Sequence, residues 1–137
     1  MKKLVFIIDD DSVYLNFMKG HFNQMPDYQT QIFQSGKDAL LALESAQPHV
    51  IILDHSFLND PAKTGIDYLK EIRKKNTQVP VIYITATDSE EVRSKTEKLK
   101  VKHYIIKNDS FLIHLRTALD KIANSKPQGI LGKLFGK

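Results

Sequence analysis

Three consecutive aspartates, Asp9, Asp10 and Asp11, close an apolar run at residues 4–8 (Leu-Val-Phe-Ile-Ile), and Asp54 closes a second at 50–53 (Val-Ile-Ile-Leu). Two further apolar runs end in a hydroxyl and an ammonium: residues 79–84 stop at Thr85 and residues 103–106 stop at Lys107. Carboxylates converging at close range repel one another, which raises their pKa values unless a hard divalent cation with oxygen ligands sits among them. The residue types therefore point to an acidic, cation-binding cluster with one hydroxyl and one ammonium at hand.

Such chemistry needs elements that bring these ends together. Apolar runs of four or five residues are too short for typical helices and suit strands covered on both faces, as in a parallel sheet. Ligand sites in such sheets lie at the carboxyl ends of the strands. Helical patterns alternate with the runs, the signature of an α/β doubly wound parallel sheet. Ser12 is placed to cap a first helix carrying Leu15, Met18, Phe22 and Met25, with Pro26-Asp27 ending it. Residues 28–33 read as a short strand, and Ser35-Gly36 opens a helix through Ala39, Leu40 and Leu43. Residues 65–75 place Ile66, Leu69 and Ile72 on one helical face. Residues 89–100 are helical by propensity, but their apolar stripe is only Val92, Thr96 and Leu99. The last helix, with Phe111, Leu112, Leu115, Leu119 and Ile122, is much better anchored.

The chain's 137 residues fit one domain with a sizeable core. The absence of cysteine excludes a disulfide framework, thiolate metal sites and thiol catalysis. Lys2 and Lys3 precede an apolar stretch of only five residues that runs into aspartates, so neither export nor membrane spanning is expected. The formal charge of +4 includes Lys126, Lys133 and Lys137 in an acid-free tail, which leaves a nearly neutral body and disfavours direct DNA binding. Residues 1–125 are expected to form the domain and 126–137 a flexible basic amphipathic tail. The tail carries Ile130, Leu131, Leu134 and Phe135; partner docking and then reversible membrane-surface contact are its other readings.

The ordered set of strand ends resembles the receiver domain of two-component response regulators over about residues 3–125. The acidic pair after the first strand corresponds to Asp9 and Asp10, and the phosphoacceptor aspartate to Asp54. The hydroxyl residue before alanine corresponds to Thr85 and Ala86, the lysine after the fifth strand to Lys107, and the switch aromatic to Tyr104. The resemblance implies a flavodoxin-like sheet of five strands in the order 2-1-3-4-5. It also implies Mg2+ held directly by Asp10, Asp54 and the backbone carbonyl of Ser56, with Asp9 mainly through water. Asp54 would attack phosphorus to form an acyl phosphate while the metal and Lys107 neutralise the transferring oxygens. Thr85 would then move toward the phosphoryl group and Tyr104 would follow, so that the weakly anchored helix, the last strand and the last helix carry the signal. The implied partners are a histidine kinase or phosphotransfer protein and a downstream protein target, in the cytoplasm. Ser56 and Thr87, small and neutral, would flank the water that removes the phosphoryl group and give it an intermediate lifetime.

The chain departs from the family pattern at several points. Leu58-Asn59 replaces the usual Met-Pro after the phosphoacceptor, and Gly65 comes about three residues late in an enlarged loop containing Pro61. Asn108 replaces the proline after the lysine, and a cis bond before a non-proline residue costs roughly 3 to 4 kcal/mol, so either a trans bond or a strained cis one is implied. Lys100 stands where a helix-ending glycine is usual. His55 reads as a solvent-facing loop residue, and His21, His49, His103 and His114 lack metal-ligand spacing. A non-phosphorylated pseudo-receiver acting as an adaptor is the chief rival reading. A phosphohydrolase with an aspartyl nucleophile would want an acid where Ser56 stands, and a nucleotide binder would want a phosphate loop where the three aspartates stand.

Overall fold

Continuous apolar runs become the middle of a sheet because both of their faces can be covered. In the computed structural model, which describes residues 2–125, every residue of β3 (Val50–Asp54) and β4 (Val81–Thr85) is buried. They are flanked by β1 (Lys3–Ile8), β2 (Tyr28–Phe33) and β5 (His103–Ile106). All neighbours pair in parallel, in the order β2-β1-β3-β4-β5. β2 alternates half-buried and exposed residues up to Ile32, as suits an edge. The connecting helices are α1 (Ser12–Asn23), α2 (Gly36–Ala42), α3 (Gly65–Lys75), α4 (Glu90–Lys98) and α5 (Phe111–Asn124).

Because side chains alternate across a strand, the sheet divides its apolar residues between two cores. Val5, Ile7, Ile52, Ile82 and Ile84 pack with Leu15 and Met18 of α1 and with Phe111, Leu115 and Leu119 of α5. Phe6, Ile8, Ile51, Leu53 and Tyr83 pack on the other face with Ala39 of α2 and with Ile66, Leu69 and Ile72 of α3. The chain leaves β1 for β2 on one side and then crosses to β3 on the other. The reversal opens a crevice at the carboxyl ends of β1 and β3.

Helix boundaries show where local chemistry decided. Asp11, rather than Ser12, caps α1: its carboxylate accepts from the Val13 N–H at 3.0 Å, and Ser12 is already helical. A carboxylate also complements the positive end of the helix dipole, which a hydroxyl does not. The helix ends at Asn23, two residues before buried Met25. At α3, Thr64 and Asp67 form a reciprocal capping box. Gly65 is required there: a Cβ would collide with the Asp54 carbonyl and lie 2.6 Å from the Tyr83 hydroxyl.

α4 leaves through a Schellman turn, with the Val101 N–H on the Thr96 carbonyl and the Lys100 N–H on the Glu97 carbonyl, both at 3.0 Å. Lys100 takes the left-handed residue of this turn, at φ 66°, without the freedom of the glycine usual at that place. The guanidinium of Arg73 gathers the same corner, donating to the Leu99 and Val79 carbonyls at 2.7 Å each.

Candidate functional site

The β1–β3 register sets Ile8 opposite Leu53, so Asp9 and Asp54 emerge side by side into the crevice. Both are buried, Asp9 completely. Lys107 follows β5 and donates its backbone N–H to the Thr85 carbonyl at 2.8 Å, which holds it against the end of β4. From there its buried ammonium reaches across, 2.9 Å from Asp9 Oδ2, 3.1 Å from Asp54 Oδ1 and 3.9 Å from Asp11 Oδ2. The same ammonium stands 4.7 Å above the ring of Tyr14. There is no cis peptide among the described residues, so the Lys107–Asn108 bond is trans and the lysine still reaches both carboxylates.

Asp9, Asp10 and Asp54 each present one carboxylate oxygen within 4.8 Å of the others. The Asp11 N–H donates to Asp9 Oδ1 at 2.9 Å, whereas buried Asp9 Oδ2, although ion-paired with Lys107, has no aligned hydrogen-bond donor among the described residues. Burial, and then the neighbouring Asp9 charge, push the Asp54 carboxyl up to about 7 against the pull of Lys107. Burial also raises Asp9. Burial works to lower Lys107, but the charges of Asp9 and Asp54 outweigh it and hold the ammonium above its ordinary value. One ammonium shared between Asp9 and Asp54 thus leaves the three carboxylates under-compensated, and an all-oxygen donor set fits a hard divalent cation.

The other expected site residues lie around this cluster. Thr85 is buried at the end of β4, and its hydroxyl lies within hydrogen-bond distance of the Thr87 backbone, donating to the carbonyl at 3.2 Å. Thr87 itself is exposed. Ser56 is exposed and bridges to Thr64; the Gly65 N–H makes that link to the His55 carbonyl at 2.7 Å, which keeps the Ser56 carbonyl out of it. Tyr104 stands apart from the carboxylates, its ring stacked on Tyr83 at 6.0 Å and covered by the Arg93 guanidinium at 4.2 Å. Its buried hydroxyl has no hydrogen-bond partner among the described residues.

His55 is not solvent-facing. It is half-buried, and its Nδ1 lies 2.6 Å from the Tyr83 hydroxyl. Burial lowers the imidazole pKa, while burial and the Asp54 charge raise that of the phenol. Since the imidazole is neutral, Nδ1 is the natural acceptor for the Tyr83 O–H. Sequence reading also missed Tyr14 under the ammonium, and Asn59, whose backbone N–H donates to Asp10 Oδ2 at 3.2 Å. Nothing in the local sequence signals either contact, because each joins elements far apart in the chain.

Comparison with known proteins agrees with this architecture. The sequence profile described as Response regulator receiver domain matches residues 5–120, and the chain belongs to that family. It is 32% identical over 108 residues to the transcriptional regulatory protein MalR of Bacillus subtilis, covering 78% of this chain and 45% of MalR. The chain spans less than half the length of the curated relatives it matches, among them 23% of a protein-glutamate methylesterase/protein-glutamine glutaminase of Treponema denticola and 33% of the Regulator of RpoS of Escherichia coli. Among solved structures, a CheY-like receiver domain protein of Methanospirillum hungatei superposes with a TM-score of 0.78 at 20% identity, covering 90% of this chain and 95% of that one. The Mn(2+)-bound response regulator Rcp1 superposes with a TM-score of 0.75 at 18% identity, covering 93% and 99%. The sheet order expected from the resemblance, 2-1-3-4-5, is the one observed. Among the described residues no helix is long and apolar enough to cross a membrane. The tail at 126–137 lies outside the described residues.

Proposed function

We propose that this receiver domain accepts a phosphoryl group on Asp54 from a histidine kinase or phosphotransfer protein in the cytoplasm and signals through changed protein contacts. The observation that carries the reading is one buried ammonium, on Lys107, shared at 2.9 and 3.1 Å between Asp9 and Asp54, with Asp10 close enough to complete an oxygen cluster. Asp9, Asp10, Asp54 and the Ser56 carbonyl are the groups that would hold Mg2+. A divalent ion, such as the Mn(2+) bound by Rcp1, supplies positive charge to the acidic cluster and to the oxygens of a transferring phosphoryl group.

The chain's own residues do the rest. An Asp54 oxygen bonds to phosphorus as the phosphorus–nitrogen bond of a donor phosphohistidine breaks, and the bonding pair returns to the imidazole. Lys107 holds Asp54 in place beforehand and offsets charge on the transferred oxygens as a compact point charge. Thr85, one strand over, has a hydroxyl engaged, among the described residues, with its own turn, so it can rotate toward a new oxygen. Val13 and Phe17 on α1 and Ile113 on α5 are at least half exposed. Tyr14 packs edge-on against both Phe17 and Phe111, so these helices present one apolar surface beside the site, suited to a protein donor.

Intact mass after incubation with acetyl phosphate and Mg2+ tests the proposal on the native protein and on Asp54→Ala. One added phosphoryl group, lost in the variant, is expected. No addition to the native protein, or equal addition to Asp54→Ala, overturns it.

A further inference from the structure

The enlarged loop after β3 is a built structure. Its base is pinched by the Ser56–Thr64 bridge, Phe57 is buried beneath it, and the Asp60 carboxylate takes a hydrogen bond from Tyr68. Turns closed by the Asp60 N–H on the Phe57 carbonyl, at 3.2 Å, and the Lys63 N–H on the Asp60 carbonyl, at 3.1 Å, fix the path between these anchors. The loop thereby carries Asn59 back over the mouth of the crevice, where the residue makes two contacts with different parts of the fold. Its backbone N–H donates to Asp10 Oδ2 at 3.2 Å, and its side-chain amide donates to the Gln34 carbonyl, beyond the end of β2, at 2.6 Å.

We infer that Asn59 is a positioning residue for the acidic cluster: the loop, tethered to Gln34 by the Asn59 side chain, holds one oxygen of Asp10 so that the other faces a divalent cation. The inference rests on the metal-dependent reading of the site given above. Asp10 needs such a hold because it is the less buried of the clustered carboxylates, and neither of the contacts that fix Asp9 and Asp54, to Lys107, reaches it. A carboxylate oriented before the ion arrives loses less rotational freedom on ligation, and outer hydrogen bonds of this kind commonly tune metal affinity. The Gln34 carbonyl can only accept, so the side-chain nitrogen must be the group that faces it. Asn59 is itself exposed, which separates its role from support of the core.

The test is the Mg2+ dissociation constant, by isothermal titration, for the native protein, Asn59→Ala and Asn59→Gln, with metal-free melting temperatures on the same samples. The inference expects Asn59→Ala to bind Mg2+ about fivefold more weakly, because a freed Asp10 must be ordered on ligation, while its metal-free melting temperature falls by no more than the few degrees that one exposed hydrogen bond supports. Asn59→Gln, which keeps the amide donor, should recover at least part of that loss. Asn59→Ala binding Mg2+ as tightly as the native protein would overturn this inference and leave the reading of the site standing. Failure of the native protein to bind Mg2+ at all would overturn both.

Discussion

Two helices flank edge strand β5 and they are held very differently. α5 buries Phe111, Leu115, Ala118 and Leu119 against the sheet, whereas α4 buries Thr96, a polar residue whose hydroxyl turns back to the Arg93 carbonyl at 2.8 Å. What α4 has instead lies on its surface: a Ser89 cap at 3.3 Å and the pairs Lys95–Glu91 and Arg93–Asp88, each at 3.1 Å. Exposed pairs of this kind contribute about 0.5 kcal/mol apiece, less than one buried leucine. The cost of moving an element is set by what it buries, so α4 can be displaced cheaply beside a rigid α5.

The largest difference should come from truncating each helix at its contact with the sheet. Leu115→Ala is expected to cost about 3 kcal/mol by urea unfolding and Val92→Ala under about 1 kcal/mol; similar losses at the two positions would erase the contrast. The strand-end carboxylates act in the opposite sense to the α5 core, by opposing folding. Asp54 is raised from 3.8 to about 7 in the fold, so the stability its protonated form contributes is complete below pH 3.8 and is lost as pH climbs toward 7. Without divalent ions, Asp54→Asn should match the native protein near pH 4 and exceed it by about 2 kcal/mol near pH 6. Chemical denaturation at the two pH values checks this, and an unchanged difference would show that Lys107 fully compensates Asp54.

Native-state hydrogen exchange sharpens the comparison without mutation. Amides of α4 should open on the order of 2 kcal/mol below those of α5, through local rather than global unfolding. The smallest effect is at the α4 exit, where Lys100→Gly should stabilise the protein by about 1 kcal/mol by removing a left-handed lysine. Thermal denaturation detects it, and a loss of stability would mean that the lysine side chain offsets its own backbone cost.

The contrast between the helices was legible in the sequence because it depends on local spacing. Phe111, Leu115 and Leu119 recur on one face, while Val92, Thr96 and Leu99 make a thin stripe. The strand ends were legible for the same reason: the short apolar runs fix where each strand stops. Contacts between distant elements were not. His55 is turned inward by Tyr83, twenty-eight residues along the chain, and Asn59 meets Gln34 and Asp10 only because the enlarged loop folds back. The Asp11 cap was within reach, since Asp and Ser both serve, but adjacent capping residues leave the helix start uncertain by one position.

Arg73 gives α4 a mechanical asymmetry. Its guanidinium grips the Leu99 carbonyl at one end of the helix and the Val79 carbonyl ahead of β4, while the amino half is held by softer contacts, partly buried Val92 and the Arg93 guanidinium lying over Tyr104. A nine-residue helix is a rod of about 13 Å. Pinned at the tail and held more softly at the head, it is built to swing as a lever about Arg73 rather than to slide as a piston. If Thr85 turns toward a phosphoryl group as proposed, the widest excursion is expected at Glu90 and Glu91 and the smallest at the fulcrum.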